Sequence, residues 1–309
     1  MENVFNLILN ECNDIDELVK KFLSYGIMNI TPDNFKNTIK QWCKKVMYSL
    51  NENQLKEFSP TIEINPLALY WEYASVDVKE KKDFILNISD EYFENAYKEQ
   101  LKLIEFLYFM FHEFIHVKQY VNCFSGKCDI STMNFIKEFI IHEEEMKYLD
   151  RVMEEDISRF HTKFYHLTNY DLVLYEIEAK VLGERLLIIY LKHLGLEEKY
   201  SFIINKLEKE IEINLERAKN LTRYINCEFC NVKEPTVDSI FDHIIKDKPH
   251  LLSEYPQLKH AYIEEEGHVR PKTYEELVLT LEENKDNVNL SNYINHVLES
   301  MEKKNKGRN

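Results

Sequence analysis

Between Phe106 and Val117 the chain reads FLYFMFHEFIHV, and within it only His112, Glu113 and His116 can ionise near neutral pH. The stretch before it, LKLIEF (101–106), is nearly as apolar. A helix that is greasy on almost every side is a buried helix. Two imidazoles and a carboxylate buried without partners cost several kcal/mol, so the fold must supply something that compensates them. Core histidines bonded to backbone carbonyls are the bland solution, but three clustered polar groups make a poor core.

The spacing offers a better one. His112-Glu113-Phe114-Ile115-His116 is H-E-x-x-H. Positions four apart share a helix face, so both imidazoles can address one ion. Neutral imidazole is a good zinc ligand. Zinc brings the pKa of a bound water from about 15.7 towards 7, and Glu113 stands beside the histidines, placed to accept that water's proton.

The rest of the chain sets the frame. With 6 Gly and 7 Pro in 309 residues, a turn-rich all-β fold is disfavoured and long helices are expected. Helical spacing runs over residues 2–25, with Asn13-Asp14 dividing it, Asp14 a candidate cap and Gly26 a stop. TPDNF (31–35) starts a helix to about Leu50, with Thr31 as cap and Pro32 in the first turn. From 60 to 90 the texture turns β-branched and aromatic: TIEI (61–64), LYWEYASVDV (69–78) and DFILNIS (83–89) predict about three strands, with KEKK (79–82) as a turn. One long helix then runs from Ser89-Asp90 to about Asn122 and carries the motif. Further helices are expected at about 131–164, 170–195 and 197–225, then a break at 226–235 and a helical tail over 236–305 interrupted by Pro249, Pro256 and Pro271. The expected class is therefore mainly α with a small β-sheet (α+β). Residues 1–230 would form the domain that holds the motif, and 231–309 a helical C-terminal region.

The net charge of −15 disfavours nucleic acid and anionic membrane surfaces as partners. No apolar run reaches the roughly 18 residues of a membrane span. The N-terminal MENVFNLILNEC lacks the basic start of a signal peptide. A cytoplasmic location follows as the expectation, with the six cysteines reduced or bound to metal. Cys123 and Cys128, C-x4-C, and Cys227 and Cys230, C-x2-C, are candidates for a structural zinc site; unrelated thiols are the alternative. HEEE (142–145) reads as a solvated acidic surface, because consecutive helical residues face different ways. EEEGH (264–268) reads as a loop.

With the motif, its apolar helix and a preceding small sheet on the page, the chain resembles the zincin metallopeptidases over roughly residues 60–190. HVKQ (116–119) is similar to the H-E-x-x-H-x-x-Q continuation of many such helices. The metzincin branch needs a further histidine soon after the motif, and VKQYVNCFSGKC (117–128) has none. The gluzincin branch takes its third ligand from a glutamate on a later helix, often in E-x-x-A-D. YEIEAKVLG (175–183) is similar, with Glu176 and Ala179, but has Lys180 where that family has an acid that orients a motif histidine. Glu178, Asp171 or backbone carbonyls are then the candidates for that task. The resemblance implies zinc held by His112, His116 and Glu176, Glu113 as general base, and a peptide or protein as substrate. It also implies an oxyanion-stabilising His or Tyr downstream, among which His166, Tyr165, Tyr170 and Tyr175 are not distinguished.

Between Glu176 and Glu178, about 200° apart on a helix, the neighbours favour Glu176. Ala179 and Gly183 share its face and permit close approach, whereas Leu174, Val181 and Leu182 flank Glu178. Glu178 is kept as the alternative ligand or as a partner of the ligands. A zincin scaffold retained as a non-enzymatic binding or regulatory module is the alternative function, and the presence of Glu113 argues against it.

Overall fold

Local signals account for several helix ends. In the computed structural model, which describes residues 2–50, 61–65, 74–80, 83–155, 173–219 and 236–306, the first helices are α1 (Glu2–Asn10), α2 (Asn13–Tyr25) and α3 (Pro32–Leu50). Gly26 closes α2 at φ 72°, donating its N–H to Phe22 O, a left-handed position that glycine adopts at no steric cost. Thr31 opens α3: its Oγ1 accepts from Asn34 N and its carbonyl from Phe35 N. Asp14 does not cap α2. It lies in the first turn, and Cys12 occupies the capping position without a side-chain capping bond.

Three strands follow: β1 (Thr61–Asn65), β2 (Ala74–Glu80) and β3 (Asp83–Ser89), in the order β1-β3-β2. β3 is central. It pairs antiparallel with β2 (Val76 opposite Leu86) and parallel with β1 (Thr61 opposite Ile85). Phe84 to Ile88 are buried in succession, the mark of a strand covered on both faces. Of the expected KEKK turn or loop, Lys79 and Glu80 belong to β2, where Glu80 pairs with Asp83; residues 81 and 82 lie outside the described residues.

The single helix expected over 90–122 is two, α4 (Asp90–Lys98) and α5 (Gln100–Phe124). Glu99 between them is extended, φ −129° and ψ 130°. Nothing in KEQLK marks a break, because every residue there favours helix. The cause is tertiary: the Gln100 amide donates to Phe22 O (2.6 Å) and Leu23 O (2.9 Å) at the end of α2, which holds the chain at the bend. The remaining helices are α6 (Ile130–Glu155), α7 (Leu174–His193), α8 (Ser201–Lys219), α9 (Val237–Lys246), α10 (His250–Glu254), α11 (Tyr274–Glu283) and α12 (Val288–Lys306).

The tail is not wholly helical. A 3-10 turn (Pro256–His260) leads into a hairpin of β4 (Tyr262–Glu265) and β5 (His268–Pro271). The expected loop EEEGH (264–268) is mostly strand: Glu264 and Glu265 pair with Val269 and His268, and the turn is Glu266 and Gly267 alone, at φ 53° and φ 79°. Two successive positive φ values match the twist of the flanking strands.

The chain divides into two units that interleave in sequence: residues 1–121 with 177–219, and 122–176 with 220–309. The expected boundary at 230 lies outside the described residues. In the first unit α3 packs on α1, α2 and α4, and α4 on β3. In the second, α6 packs on α9 and α12, and α9 on β5. Lys137 on α6 is buried there, bonded to Asp238 at 2.8 Å and lying over the Tyr262 ring. Among the described residues no helix is long and apolar enough to cross a membrane.

Candidate metal centre

α5 is enclosed by aromatic packing. Trp42 of α3 meets Phe111 and Phe114 edge-on, with centroids 6.0 and 5.2 Å away. Tyr190 of α7 meets Phe111 at 5.6 Å, and Phe84 of β3 lies 6.0 Å from Tyr120. Elements on three sides therefore bury the helix, as its composition requires. His112, Glu113 and His116 are 8, 6 and 6% exposed.

The carboxylate that joins the two histidines comes from the start of α7. Leu174, the first residue of that helix, donates its N–H to Glu138 Oε2 of α6 at 2.6 Å, and Glu138 is fully buried. A carboxylate at this point satisfies an otherwise orphaned helix N–H and complements the positive end of the helix. Glu176 follows two residues later and is 1% exposed. The unit boundary falls just after it, inside this one continuous helix.

Gly183 sets the approach of α7 to α5. A Cβ built there would lie 3.1 Å from His112 N and 3.2 Å from its Cα. The two backbones meet at the first motif histidine, on the face that Glu176 and buried Ala179 share. One ligating atom each from His112, His116 and Glu176 lies within 4.8 Å of the others, and the two histidine Nε2 atoms are 3.0 Å apart. Nitrogens on one tetrahedral zinc, each about 2.0–2.1 Å from it, lie about 3.3 Å apart. Two imidazoles and a carboxylate, buried and convergent, fit a divalent transition metal; they are a donor set found in catalytic zinc sites, which keep a fourth position open.

Glu178 is not in this cluster. Its Oε2 accepts from Gln119 Nε2 at 2.9 Å, and Gln119 Oε1 meets His116 Nδ1 at 2.8 Å. Of the candidates for holding a motif histidine's second nitrogen, Glu178 is thus linked to His116 through Gln119. Gln119 enters the sequence reading only as the last residue of HVKQ, with no role of its own, and Glu138 does not enter it at all. Gln119 was legible as the neighbour three residues beyond His116 on the same face; Glu138 had no sequence signal.

Next to Gly183, Glu184 is 5% exposed, with Oε2 unbonded. Burial, reinforced by Glu210 and opposed by Lys180, pushes its carboxyl up to about 7.

The other candidates divide. Cys123 and Cys128 are buried thiols, and burial pushes Cys128 up to about 12. Cys227 and Cys230 lie outside the described residues, as do Tyr165, His166, Tyr170 and Asp171. Tyr175 packs against Phe135, centroids 5.5 Å apart. In HEEE, Glu143 is exposed, and Glu144 pairs with Lys147 and Lys248, as a polar surface would. A scan of protein-family models and searches of curated proteins and of solved structures each found no match.

Proposed function

We propose that the chain is a zinc-dependent metallopeptidase of gluzincin-like type that hydrolyses peptide bonds in a peptide or protein. The observation that carries this reading is the convergence of His112, His116 and Glu176 from two helices, with Glu113, the residue next to His112 in the chain, buried as well. His112, His116 and Glu176 would hold the zinc. When bound, it would acidify a water and polarise the scissile carbonyl. Glu113 takes the attacking water's proton and delivers it to the leaving amine. Among the described residues β1 and β2 are the edges of the sheet, and an extended peptide can pair with such an edge through its main chain. The same chemistry disfavours a purely structural metal, which has no use for a buried carboxylate outside its ligand set.

The test is Glu113→Gln, which keeps the side-chain shape and removes the base. Metal analysis should find one zinc per chain in wild type and variant alike. Cleavage of an unstructured protein, read by mass spectrometry, should fall by roughly 10²–10⁴-fold. The inactive variant should retain, in a pull-down from the native host, a peptide or protein that the wild type cuts. Activity within a few-fold of wild type would remove Glu113 from the mechanism and leave the binding-module reading in its place.

A further inference from the structure

The contact between Gln119 and Glu178 decides a proton position that bears on the metal. A carboxylate only accepts hydrogen bonds, so the Gln119 group facing Glu178 is its NH2. The other end of the same amide, its carbonyl oxygen, must then face His116 Nδ1. That oxygen also only accepts, so Nδ1 carries the hydrogen. Neutral imidazole has one N–H, which leaves a lone pair on His116 Nε2, the atom directed at His112 Nε2.

We infer that Gln119 and Glu178 are positioning residues that lock His116 as its Nδ1–H tautomer and so present its Nε2 lone pair to the ion. The metal part of this inference rests on the function proposed above; the tautomer rests on the hydrogen bonds alone. Gln119 sits three residues past His116 on α5, and Glu178 two residues past Glu176 on α7. The same two helices that bring the ligands together therefore also bring the relay together. Charge on Glu178 polarises the amide, and the amide makes the imidazole a stronger donor of electrons to a metal. Partners of this kind behind a ligating histidine typically matter by about 10–100-fold in metal affinity.

The relay has a direction, and the direction can be reversed in sequence while being kept in space. In the exchange Gln119→Glu with Glu178→Gln, a carboxylate accepts from His116 Nδ1–H and an amide NH2 donates to that carboxylate. Gln119→Glu alone sets two carboxylates against each other, and Gln119→Leu removes the acceptor.

The first measurement needs no variant. Long-range proton–nitrogen correlation on the full-length chain, labelled at histidine nitrogen and stripped of metal by a chelator, reads each tautomer; signals that vanish in His116→Asn identify His116. We expect a protonated Nδ1 and a bare Nε2, and a protonated Nε2 overturns the inference. The second measurement is zinc affinity by competition with a chromophoric chelator. It decides the matter by itself if the stripped chain does not hold its fold. Gln119→Leu and Gln119→Glu should each bind about 10–100-fold more weakly, and the exchanged pair should return close to wild type. Unchanged affinity in Gln119→Leu, or an exchanged pair no better than the single variants, overturns it. A chain that shows the Nδ1–H tautomer and binds zinc yet cleaves nothing would count against the peptidase reading and leave this one standing.

Discussion

Glu176 and Glu178 are two residues apart on α7, and the structure sends them to different tasks. Glu176 joins the histidines and is almost wholly buried, whereas Glu178 is half-buried and bonded to Gln119. Replacing each by Gln separates the roles. Glu176→Gln exchanges an anionic oxygen donor for a weak neutral one and should abolish tight zinc binding. Glu178→Gln leaves all three ligands and should weaken binding by about 10–100-fold. Titration with a zinc indicator, after circular dichroism has shown equal folding, gives both constants. Weaker binding in Glu178→Gln than in Glu176→Gln would mean that the helix presents its other face to the metal. The preference for Glu176 was legible because Ala179 and Gly183 are small and share its face. That Glu178 would reach His116 through Gln119 was not legible, because it depends on the relative placement of two helices distant in sequence.

At the scale of elements, two of the contacts that hold α7 can be tested one by one. At Gly183 the neighbour of a new Cβ would be the backbone of His112 rather than the flexible end of a side chain. Gly183→Val must therefore push α7 away from α5. We expect a loss of about 1–3 kcal/mol, typical of overpacking, read as a lower urea midpoint, together with weaker zinc binding. A midpoint and an affinity both equal to wild type would show that the helices have slack at this point. The second contact is Glu138, whose carboxylate takes the Leu174 N–H. Glu138→Ala should cost about 0.5–2 kcal/mol, as loss of a helix cap does, and hydrogen exchange should quicken at Leu174 to Glu176. Unchanged exchange there would mean that the first turn is held by other means. The break at Glu99 belongs to the same scale. Its residues all favour helix, and the grip of Gln100 on the end of α2 accounts for the separation of α4 from α5.

For the molecule as a whole, Glu184 makes stability depend on pH with a sign opposite to that of an ordinary paired acid. Its carboxyl is pushed up to about 7 by burial, and by Glu210. Between the ordinary carboxylate range and about 7 the folded state therefore binds more protons than the unfolded one, so stability falls as pH rises through that window. For one proton the slope is at most about 1.4 kcal/mol per pH unit. Glu184→Gln removes the penalty and should raise the urea midpoint at pH 8 relative to wild type. At pH 4, where wild-type Glu184 is already protonated, it should make little difference. Equal midpoints at both pH values would mean that Glu184 is charged and accommodated in the fold.

By itself the sequence determined the helix-rich class, the small sheet ahead of the motif helix, the ends at Gly26 and Thr31, and the burial of His112, Glu113 and His116. Each of these follows from composition, from periodicity, or from a residue acting on its own backbone within a turn or two. Tertiary structure alone decided the parallel pairing of β1 with β3, the interleaving of the two units, the cap that Glu138 places on α7 and the bond from Gln119 to Glu178. The residue pairs among these lie 24 to 59 positions apart. No local preference encodes them, because their energy appears only when two separately formed elements are brought face to face. Glu176 lies between the two cases. Small residues on one helix face announced that something would come close, and the fold decided that it would be the backbone of His112.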